Sequence, residues 1–139
     1  MKRILVTGGA GFLGSSVVAS LLASEDVEYI VVPTTNIRSK TSLNLLDVDF
    51  SKLELINGDV RDYDFVQRLF NEYEFDTIFH LGALSEVRKC QDNAKLAYDT
   101  NIGGTINLLE SARLFGNVKA IVVSSSDKAY GRCELPYTE

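Results

Sequence analysis

Three glycines near the N-terminus have the spacing of a phosphate-binding turn. Gly8, Gly11 and Gly14 follow the apolar residues 4–6 and precede a segment with helical apolar periodicity. Gly8 permits a sharp turn, Gly11 lets backbone N–H groups approach a phosphate, and Gly14 lets the helix lie close to the strand. A helix N-terminus also offers unpaired N–H donors and a positive dipole end. The stretch therefore predicts dinucleotide binding, with a purely structural glycine turn as the alternative.

Strands and helices alternate along the rest of the chain. We predict strands at residues 2–7, 27–32, 52–57, 77–81 and 118–124, with helices at 12–24, near 43–47, at 62–73 and at 93–115, and a loop at 125–139. Pro33 is expected to close the second strand. This alternation predicts an α/β fold, a Rossmann-type doubly wound parallel sheet in the order 3-2-1-4-5. Ligands bind such sheets at the carboxyl ends of the strands, where the polar clusters of this sequence fall.

Composition limits the classes of partner. The 139 residues suffice for one domain, residues 1–139, and the net charge of −5 disfavours nucleic acid or an anionic membrane as the main partner. No apolar run reaches the roughly 18 residues that a membrane-spanning helix needs. Cys90 and Cys133 form no metal or redox motif. We expect reduced thiols, a cytoplasmic location and no metal site.

Five clusters in register carry a family resemblance. They are Thr7-Gly8-x-x-Gly11-x-x-Gly14, Gly58-Asp59-Val60-Arg61-Asp62, His80-Leu81-Gly82-Ala83, Asn101-x-x-Gly104-Thr105, and Ser124-Ser125-Ser126 with Tyr130-Gly131. Their order and spacing resemble the extended short-chain dehydrogenase/reductases, the sugar-nucleotide epimerases and dehydratases, over essentially the whole chain. The resemblance implies an NAD(P) cofactor, a nucleotide-diphosphate sugar as substrate and a homodimer.

The resemblance also implies which residues bind the cofactor. Asp59 and Val60 would hold the adenine, and Thr100 would lie near the nicotinamide ribose. A carboxylate at a strand end can accept a hydrogen bond from an amino group, although Asp59 could instead be an ordinary turn aspartate. We expect His80 to be a packed histidine rather than a catalytic one. The predicted cofactor-binding set is Gly8, Gly11, Phe12, Leu13, Gly14, Asn36, Arg38, Asp59, Val60, Leu81, Gly82, Ala83, Thr100 and Ser124.

The end of the second strand bears on the choice between NAD and NADP. An acid there would bind the ribose 2′-hydroxyl, whereas an arginine would accommodate a 2′-phosphate. Pro33 and Thr34 stand at that place, and Arg38 and Lys40 follow in the loop. The sequence therefore predicts NADP, with NAD as the alternative if these cations are only solvated loop charges.

The resemblance assigns the reaction to residues after the last strand. Ser126 matches the hydroxyl that hydrogen-bonds the oxygen at C4 of the sugar, and Ser85 matches a substrate-side position. The 4,6-dehydratases carry an acid where Asp127 stands, and some acting on CDP-glucose have the same pairing with Lys128. Elimination of water across C5–C6 needs an acid and a base, and a lysine serves as base only if its pKa is lowered.

We therefore predict a 4,6-dehydratase, which moves a hydride from C4 to the cofactor, eliminates water and returns the hydride to C6. Ser126, Asp127 and Lys128 are the predicted catalytic residues. The alternatives are a 4-epimerase, which would not need Asp127, and a non-catalytic dinucleotide-binding module. The Asp-Lys pair could also be an ordinary surface ion pair.

The sequence departs from the family at its catalytic Tyr-x-x-x-Lys pair. Tyr130 is followed at the lysine place by Glu134, and Tyr137 has almost nothing after it. We therefore expect the 139 residues to be the front part of a longer enzyme, without the last helix and strand or the substrate domain, and inactive alone.

Overall fold

The structure is a computed structural model that describes residues 2–37, 43 and 50–131. Within these residues, five strands form one parallel sheet in the order β3-β2-β1-β4-β5. The strands are β1 (Lys2–Thr7), β2 (Val27–Thr34), β3 (Leu53–Asn57), β4 (Thr77–His80) and β5 (Ala120–Val123). The predicted α/β doubly wound sheet and its strand order are confirmed.

The described residues also form five α-helices and three shorter helical segments. The α-helices are α1 (Phe12–Leu22), α2 (Tyr63–Glu72), α3 (Val87–Asp92), α4 (Ala94–Tyr98) and α5 (Gly104–Phe115). Short 3-10 helices span Phe50–Lys52 and Asp127–Tyr130, and a π-helical segment, here called the π turn, spans Asp99–Gly103. Within the described ranges, no helix is long and apolar enough to cross a membrane.

Side chains from β1 enter two apolar cores on opposite faces of the sheet. Ile4 and Val6 pack in one core with Val18 of α1, whereas Leu5 packs in the other with Phe65 of α2. Successive strand residues point to opposite faces, so an uninterrupted apolar run requires cover on both. The helices therefore lie on both faces and leave the carboxyl edge of the sheet open for ligands.

The second strand continues past its predicted end. Pro33 lies within β2, and its register partner in β3 is Ile56. The prediction that proline closes the strand was wrong, because Pro33 lies beyond Val31, the last β2 residue in register with β1. A missing N–H at this place interrupts no pairing with β1.

The predicted long helix at 93–115 is confirmed at 94–115, with a π-helical segment inside it. The backbone stays helical from α4 through the π turn into α5, whereas the separate short helix α3 before them was missed. Asn93 separates α3 from α4, because its backbone leaves the helical region at φ −143° and ψ 77°. The Asn93 side chain accepts a hydrogen bond from Leu96 N at 3.0 Å and so caps α4.

The sequence predicted a loop at 125–139, but part of this segment is helical. Ser126 Oγ accepts a hydrogen bond from Lys128 N at 3.2 Å and caps the 3-10 helix Asp127–Tyr130. Residues 132–139 lie outside the described residues. The predicted short helix near 43–47 is described only at Leu43, whose side chain is buried.

Candidate functional site

A cleft of about 860 Å³ opens at the carboxyl edge of the sheet. Ligand pockets in proteins have volumes of about 300–1,000 Å³, so the cleft is large enough for an extended ligand. Residues that follow each strand line it, namely 8 and 10–14 after β1, 35 after β2, 58–61 after β3, 81–85 after β4 and 124–125 after β5. This is the edge at which doubly wound sheets bind ligands.

The glycine turn after β1 forms one wall of the cleft. Gly8 has a φ of +71°, which favours glycine, and its carbonyl accepts a hydrogen bond from Gly11 N at 2.9 Å. A Cβ on Gly14 would lie 2.1 Å from Gly8 O, closer than any real contact. The start of α1 therefore packs directly on the turn, as the spacing predicts.

The N-terminus of α1 fits an anionic group. Its first N–H groups have no partner within the helix, and in the described part of the chain no side chain caps it at Gly11. The first turn carries no acid, and Phe12, Leu13 and Gly14 all line the cleft. Unpaired donors together with the positive end of the helix dipole suit a pyrophosphate.

Asp59 lines the cleft after β3 and is held by Arg61. Its carboxylate accepts hydrogen bonds at 2.9 Å from the backbone N and from the Nε of Arg61. The Arg61 side chain lowers the pKa of Asp59, so the carboxylate is ionised at neutral pH. An ionised carboxylate has about four lone-pair sites and can still accept from a ligand amino group. Asn107 of α5 anchors the same loop by donating to the carbonyl oxygens of Val60 and Arg61, each at 3.0 Å.

His80 at the end of β4 is buried behind the cleft. Its Nδ1 lies 2.6 Å from Thr7 Oγ1, and its Nε2 lies 2.9 Å from Thr105 Oγ1. Thr7 Oγ1 also accepts from Gly82 N at 3.1 Å. Burial lowers the pKa of His80, which favours the neutral ring. The geometry agrees with the prediction of a packed histidine.

The π turn connects the helical side of the fold to the loop after β4. Asn101 Oδ1 accepts from Leu84 N at 2.7 Å, and Asn101 Nδ2 donates to Leu84 O at 3.0 Å. The neighbouring Thr100 lines the cleft. Segments of π-helix occur frequently at functional sites, and here the π turn presents adjacent residues to the cleft and to its loop.

The predicted catalytic residues lie next to the cleft rather than in its lining. Ser124 and Ser125 line it, and Ser124 Oγ donates to His80 O at 3.2 Å. Asp127 and Lys128 form an exposed ion pair with an Oδ2–Nζ distance of 2.9 Å. The hydrogen bond from Lys128 lowers the pKa of Asp127, so the carboxyl group is ionised in this arrangement. The catalytic roles of Ser126, Asp127 and Lys128 stay predictions.

The structure brings most of the predicted binding residues together in the cleft. They are Gly8, Gly11, Phe12, Leu13, Gly14, Asp59, Val60, Leu81, Gly82, Ala83, Ser85, Thr100 and Ser124. Asn36 instead lines a smaller depression with Thr35, Ile37 and Asn57. Arg38 lies outside the described residues.

Sequence reasoning missed some residues that form or support the site. Arg61, Leu84, Leu96 and Ser125 line the cleft, and Asn107 holds one of its loops. Only Arg61 and Ser125 belonged to a recognised cluster. In the described ranges, no three His, Cys, Asp or Glu side chains come together as a metal site.

Known proteins are similar to this chain along almost its whole length. Residues 5–139 match the protein family described as GDP-mannose 4,6 dehydratase. A CDP-paratose 2-epimerase from Salmonella typhi is 35% identical over 133 residues, which cover 95% of this chain and 39% of that protein.

Two solved structures superpose closely. The UDP-glucose 4-epimerase from Thermotoga maritima, with UDP-glucose, has a TM-score of 0.79 at 31% identity, covering 96% of this chain and 41% of that one. The UDP-glucose 4-epimerase from Stenotrophomonas maltophila, with bound NAD and formylated UDP-arabinopyranose, has a TM-score of 0.80 at 27% identity, covering 97% and 40%. The present chain thus spans about two fifths of the length of these proteins.

Proposed function

The chain belongs to the GDP-mannose 4,6-dehydratase family of sugar-nucleotide epimerases and dehydratases, and we propose that residues 1–139 are the NAD(P)-binding domain of an enzyme that oxidises a nucleotide-diphosphate sugar at C4. One observation carries the proposal. The glycine turn, the ionised Asp59 and the small residues after β4 all line one cleft at the carboxyl edge of the sheet.

Each part of the cleft suits one part of the cofactor. The free N–H groups at the start of α1 would bind the pyrophosphate, and Asp59 with Val60 would hold the adenine. Leu81, Gly82 and Ala83, with Thr100 and Ser124, would lie along the nicotinamide half. When bound, the nicotinamide supplies the hydride acceptor for C4 of the sugar.

The end of β2 supports a preference for NADP. Pro33, Thr34 and Thr35 line the cleft there, and none of them has a carboxylate that would repel a 2′-phosphate. Arg38 follows in the sequence and would supply a cation for that phosphate. Titration calorimetry should give a lower Kd for NADP than for NAD, and Arg38→Ala should remove the difference. A lower Kd for NAD would overturn the preference, and the NAD-bound Stenotrophomonas relative makes NAD the alternative.

Asp127 and Lys128 support dehydration as the reaction. They begin the 3-10 helix after β5 and provide a carboxyl group and an amine two and three positions beyond Ser125, which lines the cleft. Loss of water across C5–C6 requires an acid for the leaving hydroxyl and a base at C5. Because Asp127 is ionised while Lys128 binds it, the pair must separate and Asp127 must take up a proton before it acts as the acid.

A 4-epimerase is the second candidate, favoured by the two superposed structures and by the exposed, self-paired Asp127. The protein at its natural length should be incubated separately with CDP-glucose, UDP-glucose and GDP-mannose, and the products identified by NMR. A 4-keto-6-deoxy sugar would support dehydration, and a 4-epimer would overturn it in favour of epimerisation. No product from any of these would favour a non-catalytic module.

Variants of Asp127 separate the two reactions further. Asp127→Asn should slow dehydration by at least about a hundredfold, the usual scale of general acid catalysis, and leave the Kd of NADP unchanged. The matched control is Glu110→Gln, which also removes an ion-paired surface carboxylate and should change neither quantity. A dehydratase whose rate is unaffected by Asp127→Asn would contradict the acid assignment.

The homodimer also stays a proposal. Ile102, Ile106 and Leu109 form an exposed apolar stripe along the π turn and α5. Such a stripe supports a protein interface. Light scattering coupled to gel filtration should give twice the monomer mass, and a monomer at micromolar concentration would overturn the proposal.

A further inference from the structure

We propose that Thr7, His80, Thr105 and Asn101 form one directional hydrogen-bond relay that positions the cofactor loop, residues 81–84, for NAD(P) binding. The inference rests on the cofactor site proposed above. In the described part of the chain, Thr105 and Asn101 are not among the residues that line the cleft. They are therefore positioning residues, which act on the cofactor through the loop.

The hydroxyl of Thr105 sets the direction of the relay. A threonine hydroxyl has one hydrogen to donate. Thr105 Oγ1 donates it to Asn101 O at 2.7 Å. The contact of 2.9 Å between Thr105 Oγ1 and His80 Nε2 must then have the histidine as donor. The neutral ring therefore carries its hydrogen on Nε2, and its Nδ1 is an acceptor.

The same tautomer determines the other end of the relay. With Nδ1 as acceptor, the hydroxyl of Thr7 donates to His80 over 2.6 Å. Thr7 Oγ1 keeps its lone pairs for Gly82 N, which donates to it at 3.1 Å. Each member thus donates one hydrogen to the next, from Gly82 through Thr7, His80 and Thr105 to the carbonyl of Asn101.

The side chain of Asn101 binds the cofactor loop directly. Its side chain both accepts from Leu84 N and donates to Leu84 O. Gly82 and Leu84, near the two ends of the loop, are thereby held by Thr7 and Asn101, the two residues that the relay joins. A loop held at both ends keeps its small residues in one position against the cofactor, so less ordering is needed on binding.

Loss of the Thr105 hydroxyl should be transmitted to Gly82. Without it, the buried Nε2–H has no acceptor, which is costly for a buried group. Transfer of the hydrogen to Nδ1 would then leave the hydroxyl of Thr7 without its acceptor. The attachment of Gly82 should loosen, although Thr105 is not among the described residues that line the cleft.

The test compares Thr105→Val, which removes the hydroxyl at nearly constant shape, with Thr105→Ser, which keeps it, in the protein at its natural length. Hydrogen–deuterium exchange without cofactor is followed in peptides covering residues 81–85 and, as an internal reference, residues 65–70 of the buried α2 face. Thr105→Val should accelerate exchange in the cofactor loop at least about fivefold relative to the reference and raise the Kd of NADP about five- to tenfold. Thr105→Ser should restore both values to within about twofold of wild type.

Three results would overturn the relay. Equal acceleration of the loop and the reference would indicate general destabilisation, and equal effects of the valine and serine variants would indicate packing. Unchanged loop exchange in Thr105→Val would show no coupling. If Thr105→Val does not fold, Thr105→Ala, which also removes the hydroxyl, replaces it, and unchanged exchange at residues 81–85 in that variant would overturn the relay. If the wild type binds neither NADP nor NAD, the proposed function fails, and the exchange comparison alone decides the relay.

Discussion

Replacement of Gly14 by alanine would place a methyl group against the backbone of the glycine turn. The new Cβ would lie 2.1 Å from Gly8 O and 2.7 Å from both Gly8 C and Gly9 Cα. All three are backbone atoms and cannot rotate away as a side chain would. To reach an allowed separation of 3.0 Å, the start of α1 must retreat from the turn by about 0.9 Å.

This displacement should reduce both stability and cofactor binding. Overpacking of this kind costs typically about 1–3 kcal/mol, so the free energy of unfolding should fall by about 2 kcal/mol and Tm by several degrees. The N–H groups of the first turn of α1 would move away from the pyrophosphate. A loss of only about 1.4 kcal/mol in binding raises Kd tenfold, so we expect at least a tenfold weaker affinity for NADP.

Thermal unfolding followed by circular dichroism, together with calorimetric titration of NADP, measures the two effects. Gly103→Ala is the matched control, because its Cβ would have its nearest neighbour, Tyr98 O, at 4.0 Å in a helical backbone. Alanine favours helix over glycine by about 1 kcal/mol, so this control should keep or raise the stability and leave Kd unchanged. Wild-type Tm and Kd in Gly14→Ala would refute the packing argument.

Three further predictions concern other elements. Asp62→Ala removes the side chain that caps α2 at Phe65 N and should lower the free energy of unfolding by about 1 kcal/mol, measured by urea denaturation, whereas Asp62→Asn should retain most of it. Because burial lowers the pKa of His80, the chain's single histidine, the unfolded state binds a proton below about pH 6.5 that the folded state does not. Urea denaturation should therefore show stability falling as the pH decreases from 7.5 to 5.5. Asn107→Ala removes the two hydrogen bonds from α5 to the loop of Asp59, and should raise the Kd of NADP several-fold in calorimetry.

Each of these predictions has a contradicting outcome. Equal losses in Asp62→Ala and Asp62→Asn would argue against a capping role. A constant or rising stability between pH 7.5 and 5.5 would mean that His80 is not held neutral by the fold. An unchanged Kd in Asn107→Ala would show that the loop keeps its position without this anchor.

The strand order and the phosphate-binding turn were predictable because local signals determine them. The apolar run of β1 and the spacing of Gly8, Gly11 and Gly14 follow directly from the sequence, and short right-handed connections leave few other topologies. The position of Pro33 inside β2 was not predictable, because it depends on where pairing with β1 ends.

The π turn within the long helix and the contacts behind the cleft depend on tertiary structure. Asn101 and Leu84 are 17 positions apart, and Thr7 and His80 are 73 apart, so no periodicity reports their hydrogen bonds. The sequence did mark the cluster that contains Asn101 and Thr105, but their partners appear only in the folded chain. Similarly, a sequence shows that Asp127 and Lys128 are adjacent without showing that they bind each other.

The central claim is that the cleft at the carboxyl edge binds NAD(P), and NMR titration of the isotope-labelled chain with NADP and NAD tests it most directly. We expect saturable binding of one cofactor per chain, with the largest amide shift changes at Gly8, Leu13, Asp59, Gly82 and Thr100, which line the cleft. Gly14→Ala should weaken these changes. Absence of saturable binding, or shift changes confined to residues away from this edge, would contradict the account.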